Sequence, residues 1–299
     1  MGAHMSLDNW DEVRTAYQVA RLGTVSGAAE VLGVHHATVI RHIDALEGRM
    51  SVKLFQRHAR GYTATEAGQD LLQVAQATAD QFDQLSGRLR GHGAKVTGEL
   101  VVTSLDVFSP LLAPVLAGFQ KENDDLAVKF LTGTRLFRLE YGEAHVAIRA
   151  GRAPEEPDNV VQPLYRQASA LCGTREYFDN HGPIDLDGDL SHHRFVGMAD
   201  EDHRAPFHRW LRARVKEEQI VYRTSDQRSG TDAIFSGAAA GFLPLWWAEK
   251  SDDIVRLCDP LDEWSADIWL ITHVDLHRTA KVQAFTNYLK AAAKSWPLG

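Results

Sequence analysis

Between Asp8 and Leu46 three short helical patterns follow one another, separated by single glycines, and this spacing restricts the amino-terminal fold more than any other feature of the chain. From Asp8 to Leu22, the residues Trp10, Val13, Tyr17, Val19 and Ala20 recur mostly at three- and four-residue steps, so an amphipathic helix is expected, ended by Gly23. A second helix starts at once. Ser26 is expected to cap it, Ala28-Ala29 lets a neighbouring helix approach closely, and Leu32-Gly33 ends it. In the third helix Val39, Ile43 and Leu46 form one apolar stripe, leaving His35, His36, Thr38, Arg41, His42 and Ala45 on other faces. The pattern is that of a helix-turn-helix, whose third helix can lay a polar flank in the major groove, where each base pair shows its own donors and acceptors. Arg41 suits phosphate or guanine, His36 and Thr38 suit base edges, and Ala37 keeps the approach close.

A two-stranded wing is expected next, with Val52-Lys53-Leu54-Phe55 as one strand, Gln56 to Gly61 as a basic turn, and Tyr62-Thr63-Ala64 returning. Arg57, His58 and Arg60 would then sit at its tip, against phosphates or the minor groove. Thr65 is placed to cap the following helix and Glu66 to occupy its positive end. Charge supports a confined nucleic-acid footprint. The whole chain carries −8, yet Arg41, Arg49, Lys53, Arg57 and Arg60 face only Asp44 and Glu47, a local excess of three positive charges. The adjacent His35 and His36 are read as DNA contacts rather than as a metal pair, because neighbouring helix positions do not share a face.

The run from Gly23 to Leu32, then Val34, Val39, Arg41, Ile43, Leu46-Glu47, Val52 to Arg57 and Thr65-Glu66-Ala67-Gly68, resembles the winged helix-turn-helix of LysR-type transcriptional regulators. The likeness extends more loosely through the chain, which has the family's usual length and domain order. His35, His36 and Ala37 stand where the family usually has serine, glutamine and proline, and Ile40 replaces a common serine. The resemblance implies double-stranded promoter DNA and RNA polymerase as partners, and Ser26, His35, His36, Thr38, Arg41, His42, Arg57 and Arg60 as DNA-binding residues.

With 299 residues, two domains are expected: 6–65 as the DNA-binding module, 66–95 as a linker helix and hinge, and 96–299 as a regulatory body. Along the linker, Leu71, Ala75, Thr78, Phe82, Leu85 and Leu89 recur at alternating four- and three-residue steps, a heptad seam expected to pair two copies into a homodimer or homotetramer. Arg90-Gly91-His92-Gly93 reads as a hinge. In the body, Gly98 to Thr103 and Leu126 to Leu131 are expected strands, Pro110 to Asn123 a helix, and Val146-Ala147-Ile148 a further strand, so parallel strands with crossover helices are expected. The resemblance implies two Rossmann-like lobes related to periplasmic solute-binding proteins, one of about 96–165 and 268–299, the other 166–267, with a small-molecule effector in the cleft between them. Matching positions in that pattern give Ser104, Leu105, Asp106, Thr134, Arg149, Ser225, Asp226, Phe242 and Leu243 as effector-binding residues. Asp106 would repel an acidic effector unless Arg149 or Arg135 neutralises it.

Other classes find little support. The chain has no G-x-S-x-G elbow, phosphate loop, H-E-x-x-H or G-x-G-x-x-G, so no enzyme, cofactor or metal is expected, and His203 and His208, five apart, would not share one helix face. A redox sensor built on Cys172 and Cys258 is the closer rival, although their apolar or acidic neighbours suit inert thiols; Arg175 and Arg256 keep it open. Trp246-Trp247 suits core packing, since buried indole is chiefly apolar area, with lining of the cleft as the alternative. The apolar runs are too short to span a bilayer and no basic-then-apolar leader opens the sequence, so a cytoplasmic protein is expected, with Met1 to Met5 a cloning remnant.

Overall fold

The structure, a computed structural model, describes residues 9–58, 61–89 and 96–296; within them the side chains at 73, 77, 80, 81, 83–89 and 141 are not described. Arg60, the expected hinge at Arg90-Gly91-His92-Gly93 and the segment Met1 to Met5 lie outside the described residues. The chain divides into two compact units, one running to Lys95 and including Arg138–Glu143 and Arg278–Ala280, the other made of the remainder.

In the first unit, α1 (Trp10–Leu22) starts at Asn9, whose side chain accepts a hydrogen bond from the Asp11 amide at 3.2 Å, and stops at Gly23, where φ is 70°. Helix α2 (Val25–Leu32) is capped by Thr24, not by the expected Ser26. The Thr24 backbone is extended, so its hydroxyl reaches the Gly27 amide at 3.2 Å, whereas Ser26 lies two residues further in, already within the helix, and stays exposed. Helix α3 (His36–Met50) buries Val39, Ile43 and Leu46 completely against α1 and α2.

The wing consists of β1 (Phe55–His58) and antiparallel β2 (Gly61–Ala64). The first strand is displaced from the expected Val52–Phe55, because Glu47 of α3 takes the amides of Leu54 and Phe55 at 2.9 and 3.2 Å and holds Val52–Leu54 as a connector. Arg57 therefore sits within β1, and His58 ends it opposite Gly61, at the turn of the wing as expected. Helix α4 (Glu66–Leu89) is capped by the Thr65 hydroxyl, which accepts from the Gly68 amide at 3.2 Å. A Cβ at Gly68 would collide with the Leu54 carbonyl, so glycine is required where α4 crosses the wing.

The second unit opens with β3 (Gly98–Ser104), a 3-10 turn Asp106–Phe108, α5 (Ser109–Lys121), β4 (Leu126–Thr132) and β5 (Val146–Ala150). Strand β6 (Asn159–Gln167) leads into a second lobe: β7 (Ser169–Thr174), α6 (Arg175–His181), β8 (Phe195–Met198), α7 (Pro206–Arg214), β9 (Ile220–Thr224), α8 (Gln227–Phe235), β10 (Gly241–Pro244), α9 (Leu245–Ala248) and β11 (Ile254–Arg256). Strand β12 (Ala266–His273) returns to the first lobe, which closes with α10 (Val274–His277) and α11 (Ala280–Ala293). The first lobe's sheet has the order β4-β3-β5-β12-β6.

The expectation of parallel strands holds for β3 with β4 and β5, and for β8 with β9. It fails for β6 and β12, which pair antiparallel, and for β7, antiparallel to β10 and β11. The chain leaves the first lobe along β6 and returns along β12, so the two crossing strands run oppositely side by side. Crossing falls at Ala168 and Ser265. In the second lobe a bridge between Phe195 and Ala240 joins the β8-β9 pair to β10-β7-β11. No described helix is long and apolar enough to cross a membrane.

Candidate functional site

Burying Val39, Ile43 and Leu46 turns the opposite flank of α3 to solvent. His35, His36 and Arg41 are exposed there, Thr38 is half-exposed, and Ser26 of α2 is exposed nearby in sequence. His35 makes no side-chain cap, so the first amides of α3 keep their positive end open. His42 points elsewhere: its Nδ1 lies 2.9 Å from the Thr15 hydroxyl of α1, a packing role in place of the expected base or phosphate contact.

The basic patch is largely neutralised from within. Arg49 pairs with Glu12, Lys53 Nζ reaches Glu47 at 2.7 Å, and Arg57 Nη2 reaches Asp44 at 2.5 Å and Glu47 at 3.1 Å while its guanidinium covers Tyr62 at 5.4 Å. Among the described residues, Arg41 is the patch cation in no ion pair. Glu47 is buried, which pushes its carboxyl up, but the Lys53 hydrogen bond and the amides of Leu54 and Phe55 outweigh burial and hold it below the ordinary range.

On α4, Leu71 and Ala75 belong to the core of the first unit, so those two expected seam positions are occupied within one chain. Thr78 is half-exposed, its hydroxyl donating to the Val74 carbonyl at 2.8 Å. Phe82 is 55% exposed and meets the exposed Trp10 edge-on, ring centroids 6.3 Å apart; Val74 is exposed as well. The side chains of Leu85 and Leu89 lie outside the described residues.

In the second unit the parallel strands deliver Ser104, Thr132 and Ala150 to one edge of the first lobe. Ser104 is fully buried and its Oγ has no hydrogen-bond partner. Arg149 donates through Nη2 to the Thr103 hydroxyl at 3.1 Å and the Arg135 carbonyl at 3.2 Å; among the described residues it meets no carboxylate, and burial lowers its pKa. Thr134 is exposed and Leu105 half-buried.

In the second lobe, Asp226 caps α8, accepting the Ser229 amide at 2.7 Å, and that bond outweighs burial in holding its carboxyl low. Ser225 donates to Asp226 at 3.3 Å. Asp106 of the first lobe accepts the Arg228 amide at 3.1 Å, which sets its charge at the positive end of α8. Phe242 is buried among Phe207, Trp210 and Trp264, whereas Leu243 lies wholly inside the second lobe's core and offers no cleft surface, contrary to expectation. Alternation along β10 sends these neighbours to opposite faces.

Residues 10–69 match the model of the bacterial regulatory helix-turn-helix protein, lysR family, and residues 93–294 match the LysR substrate binding domain. The chain belongs to the LysR family. This LysR-type transcriptional regulator joins a helix-turn-helix DNA-binding domain to an effector-binding domain. It is 25% identical over 264 residues to the uncharacterized regulator YcaN of Escherichia coli, covering 87% of this chain and 86% of that one. An HTH-type transcriptional repressor of Pseudomonas aeruginosa is 27% identical, covering 95% and 92%. In fold it is similar to a full-length OxyR variant from Pseudomonas aeruginosa, with TM-score 0.70, 15% identity and coverage of 97% and 96%.

Sequence reasoning missed two residues of this LysR-type regulator. Glu47 enters the sequence analysis only as a carboxylate set against the basic patch, although its place four residues after Ile43 puts it beside the buried stripe. Arg228 enters through a backbone amide, which no side-chain pattern marks. His203 and His208 come together, rings 5.5 Å apart, because His203 precedes α7 instead of sharing its helix. Among the described residues no group of three or more His, Cys, Asp or Glu could hold a metal. Trp246 is buried and stacks on Trp247 at 5.2 Å.

Burial, followed by the neighbouring Cys258, pushes the Cys172 thiol up to about 12; burial, then Asp259, pushes Cys258 up to about 11. Thiolate is scarce near neutral pH at both. In folded protein at pH 7, Cys172 is expected to stay unmodified by a disulfide reagent and to react only on unfolding. Prompt colour from two thiols per native chain would contradict this.

Proposed function

We propose that this regulator binds promoter DNA as a homodimer or homotetramer, with α3 in the major groove, and that a small molecule in the interlobe cleft switches it. The observation that carries the DNA reading is the pairing on one helix of a completely buried Val39–Ile43–Leu46 stripe with an exposed Arg41 in no described ion pair. Thr38, His36 and His35 supply further donors and acceptors on that flank, and Ser26 a contact from the preceding helix. The open amides of α3 add a positive end for phosphate. Arg57 acts indirectly, bracing the wing through Asp44 and Glu47, and Arg60 extends the wing's charge. RNA polymerase is the partner through which promoter occupancy is read out.

Oligomerisation uses the outer part of the linker, Phe82 with Trp10 and Val74, and continues through Thr78 toward Leu85 and Leu89. An apolar group this exposed is most cheaply covered by a second copy. Phe82→Asp is expected to shift the protein to smaller species in sedimentation at micromolar concentration. An unchanged sedimentation coefficient would assign the interface to other residues.

For the effector, Ser104 and Arg149 form the first lobe's wall and Ser225 and Asp226 the second's, with Leu105, Asp106 and Thr134 at the mouth. Ser104 Oγ, buried and unpartnered, is a polar atom awaiting a ligand. The effector must bind two arrangements of the oligomer with different affinity, since equal affinity shifts nothing. Ser104→Ala is expected to abolish the effector-dependent change in operator footprint while leaving operator affinity without effector unchanged. A full effector response in that variant would sink the assignment. A thiol-sensing mode is disfavoured by the raised Cys172 and Cys258 pKa values.

A further inference from the structure

The second lobe holds a cavity of about 30 Å³ between β8, β9, α7 and α8. Its walls are apolar for the most part, with Leu211 and Ile234 fully buried and Phe207 stacked on Phe242 at 5.1 Å. Two lining polar atoms have no hydrogen-bond partner: Nε2 of His208 and Nε2 of Gln227. His208 is 2% exposed, so its unpaired nitrogen is sealed from bulk water. A buried polar atom left without a partner is destabilising, so two on one cavity point to an occupant that pairs with them.

Their chemistry selects that occupant. The Asp200 backbone is set against the His208 ring and Nε2 has no partner, so the proton is assigned to Nδ1 and the lone pair to Nε2. Burial, which lowers the pKa of His208, favours the same neutral ring. Gln227 contributes an N–H donor. One acceptor and one donor on the lining of a single cavity match a group that both donates and accepts. A carboxylate would meet the lone pair, an ammonium would meet the amide N–H, and no cation or carboxylate lines the cavity to compensate.

The cavity also sits at the right end of the lobe. Met198 and Thr224, which end the parallel strands β8 and β9, line it, and Gln227 opens α8 between Asp226 and Arg228. The Arg228 amide is the group that Asp106 of the first lobe reaches. The volume suits a group of one or two heavy atoms, such as a hydroxyl and its carbon.

We propose that this cavity is a specificity pocket for a neutral alcohol group, whose hydroxyl donates to His208 Nε2 and accepts from Gln227. The proposal rests on the cleft being the effector site and adds the chemical class of one end of the effector.

The test uses the full chain and three probes of equal length, 1-propanol, propionate and propylamine, followed by saturation-transfer NMR without DNA. 1-Propanol is expected to receive saturation and the two ions none. His208→Phe and Gln227→Leu are each expected to raise the 1-propanol dissociation constant about tenfold, as one lost hydrogen bond would. Should His208→Phe melt early, Gln227→Leu carries the comparison, since Gln227 is half-exposed. Equal transfer to all three probes overturns the proposal, as does propanol transfer unchanged in Gln227→Leu or no propanol transfer at all, the pattern of a pocket that holds only water. None of these results bears on the effector reading, which fails separately if no metabolite in a screen alters the operator footprint.

Discussion

Arg41→Ala is expected to weaken operator binding roughly 30-fold to 10⁴-fold, because a specific base contact is worth about 1–3 kcal/mol and each of the two copies on a partly palindromic site loses one. The fold should not notice. Arg41 is exposed, lies on the flank opposite the buried stripe and is in no described ion pair, so thermal unfolding should move by less than about 0.5 kcal/mol. Binding to unrelated DNA should fall far less, and the gap between operator and unrelated sequence is the quantity to measure, at one fixed salt concentration. His42→Ala supplies the contrast: it loses the Thr15 contact, so it should lower stability by about 1 kcal/mol and leave sequence preference alone. Equal operator affinity for wild type and Arg41→Ala would remove α3 from the groove.

Glu47→Ala is expected to destabilise the first unit by about 2–6 kcal/mol, since it leaves the buried amides of Leu54 and Phe55 unpaired at about 1–3 kcal/mol each, while Lys53, 74% exposed, returns to water. Four groups lose their acceptor together: the amides of Leu54 and Phe55, Lys53 Nζ and Arg57 Nη2. Since the two amides lead into β1, the wing should lose its register as the melting transition drops by roughly 10 °C or more. The pH dependence has a definite sign. A carboxyl held below its unfolded pKa of 4.5 stabilises fully above that value and loses its contribution as pH falls through the lower, folded pKa. Glu47→Gln should therefore flatten the acid limb of the first unit's stability curve and leave the neutral limb lower throughout. A variant as stable as wild type at pH 7, with β1 amides as protected from exchange, would show the carboxylate to be dispensable.

The heptad seam divides sequence from structure within one helix. Its spacing correctly marks an apolar face on α4, but periodicity is silent about what covers that face. Leu71 and Ala75 lie under α1 and the wing, while Phe82 and Val74 stay open. The cleft divides in a similar way. Strand ends are legible from local pattern, so Ser104 and Arg149 fall at the edge of a parallel sheet as the sequence implies. The partner of Asp106 is not legible, because it is a backbone amide more than a hundred residues away and carries no side-chain signature. Phe242 and Leu243 went the other way: both are core residues, and one step along an extended strand sends them into two different clusters of the second lobe.

Local spacing alone determined the helix-turn-helix, the glycine stops at Gly23 and Gly33, and the buried stripe of α3, because three- and four-residue periodicity and left-handed turns are decided within a few residues. Tertiary structure alone decided which charges remain for a partner. Whether Arg57 or Arg41 is left unpaired depends on carboxylates brought close by folding, and electrostatic pairing depends on distance in space, which the order of residues along the chain does not supply.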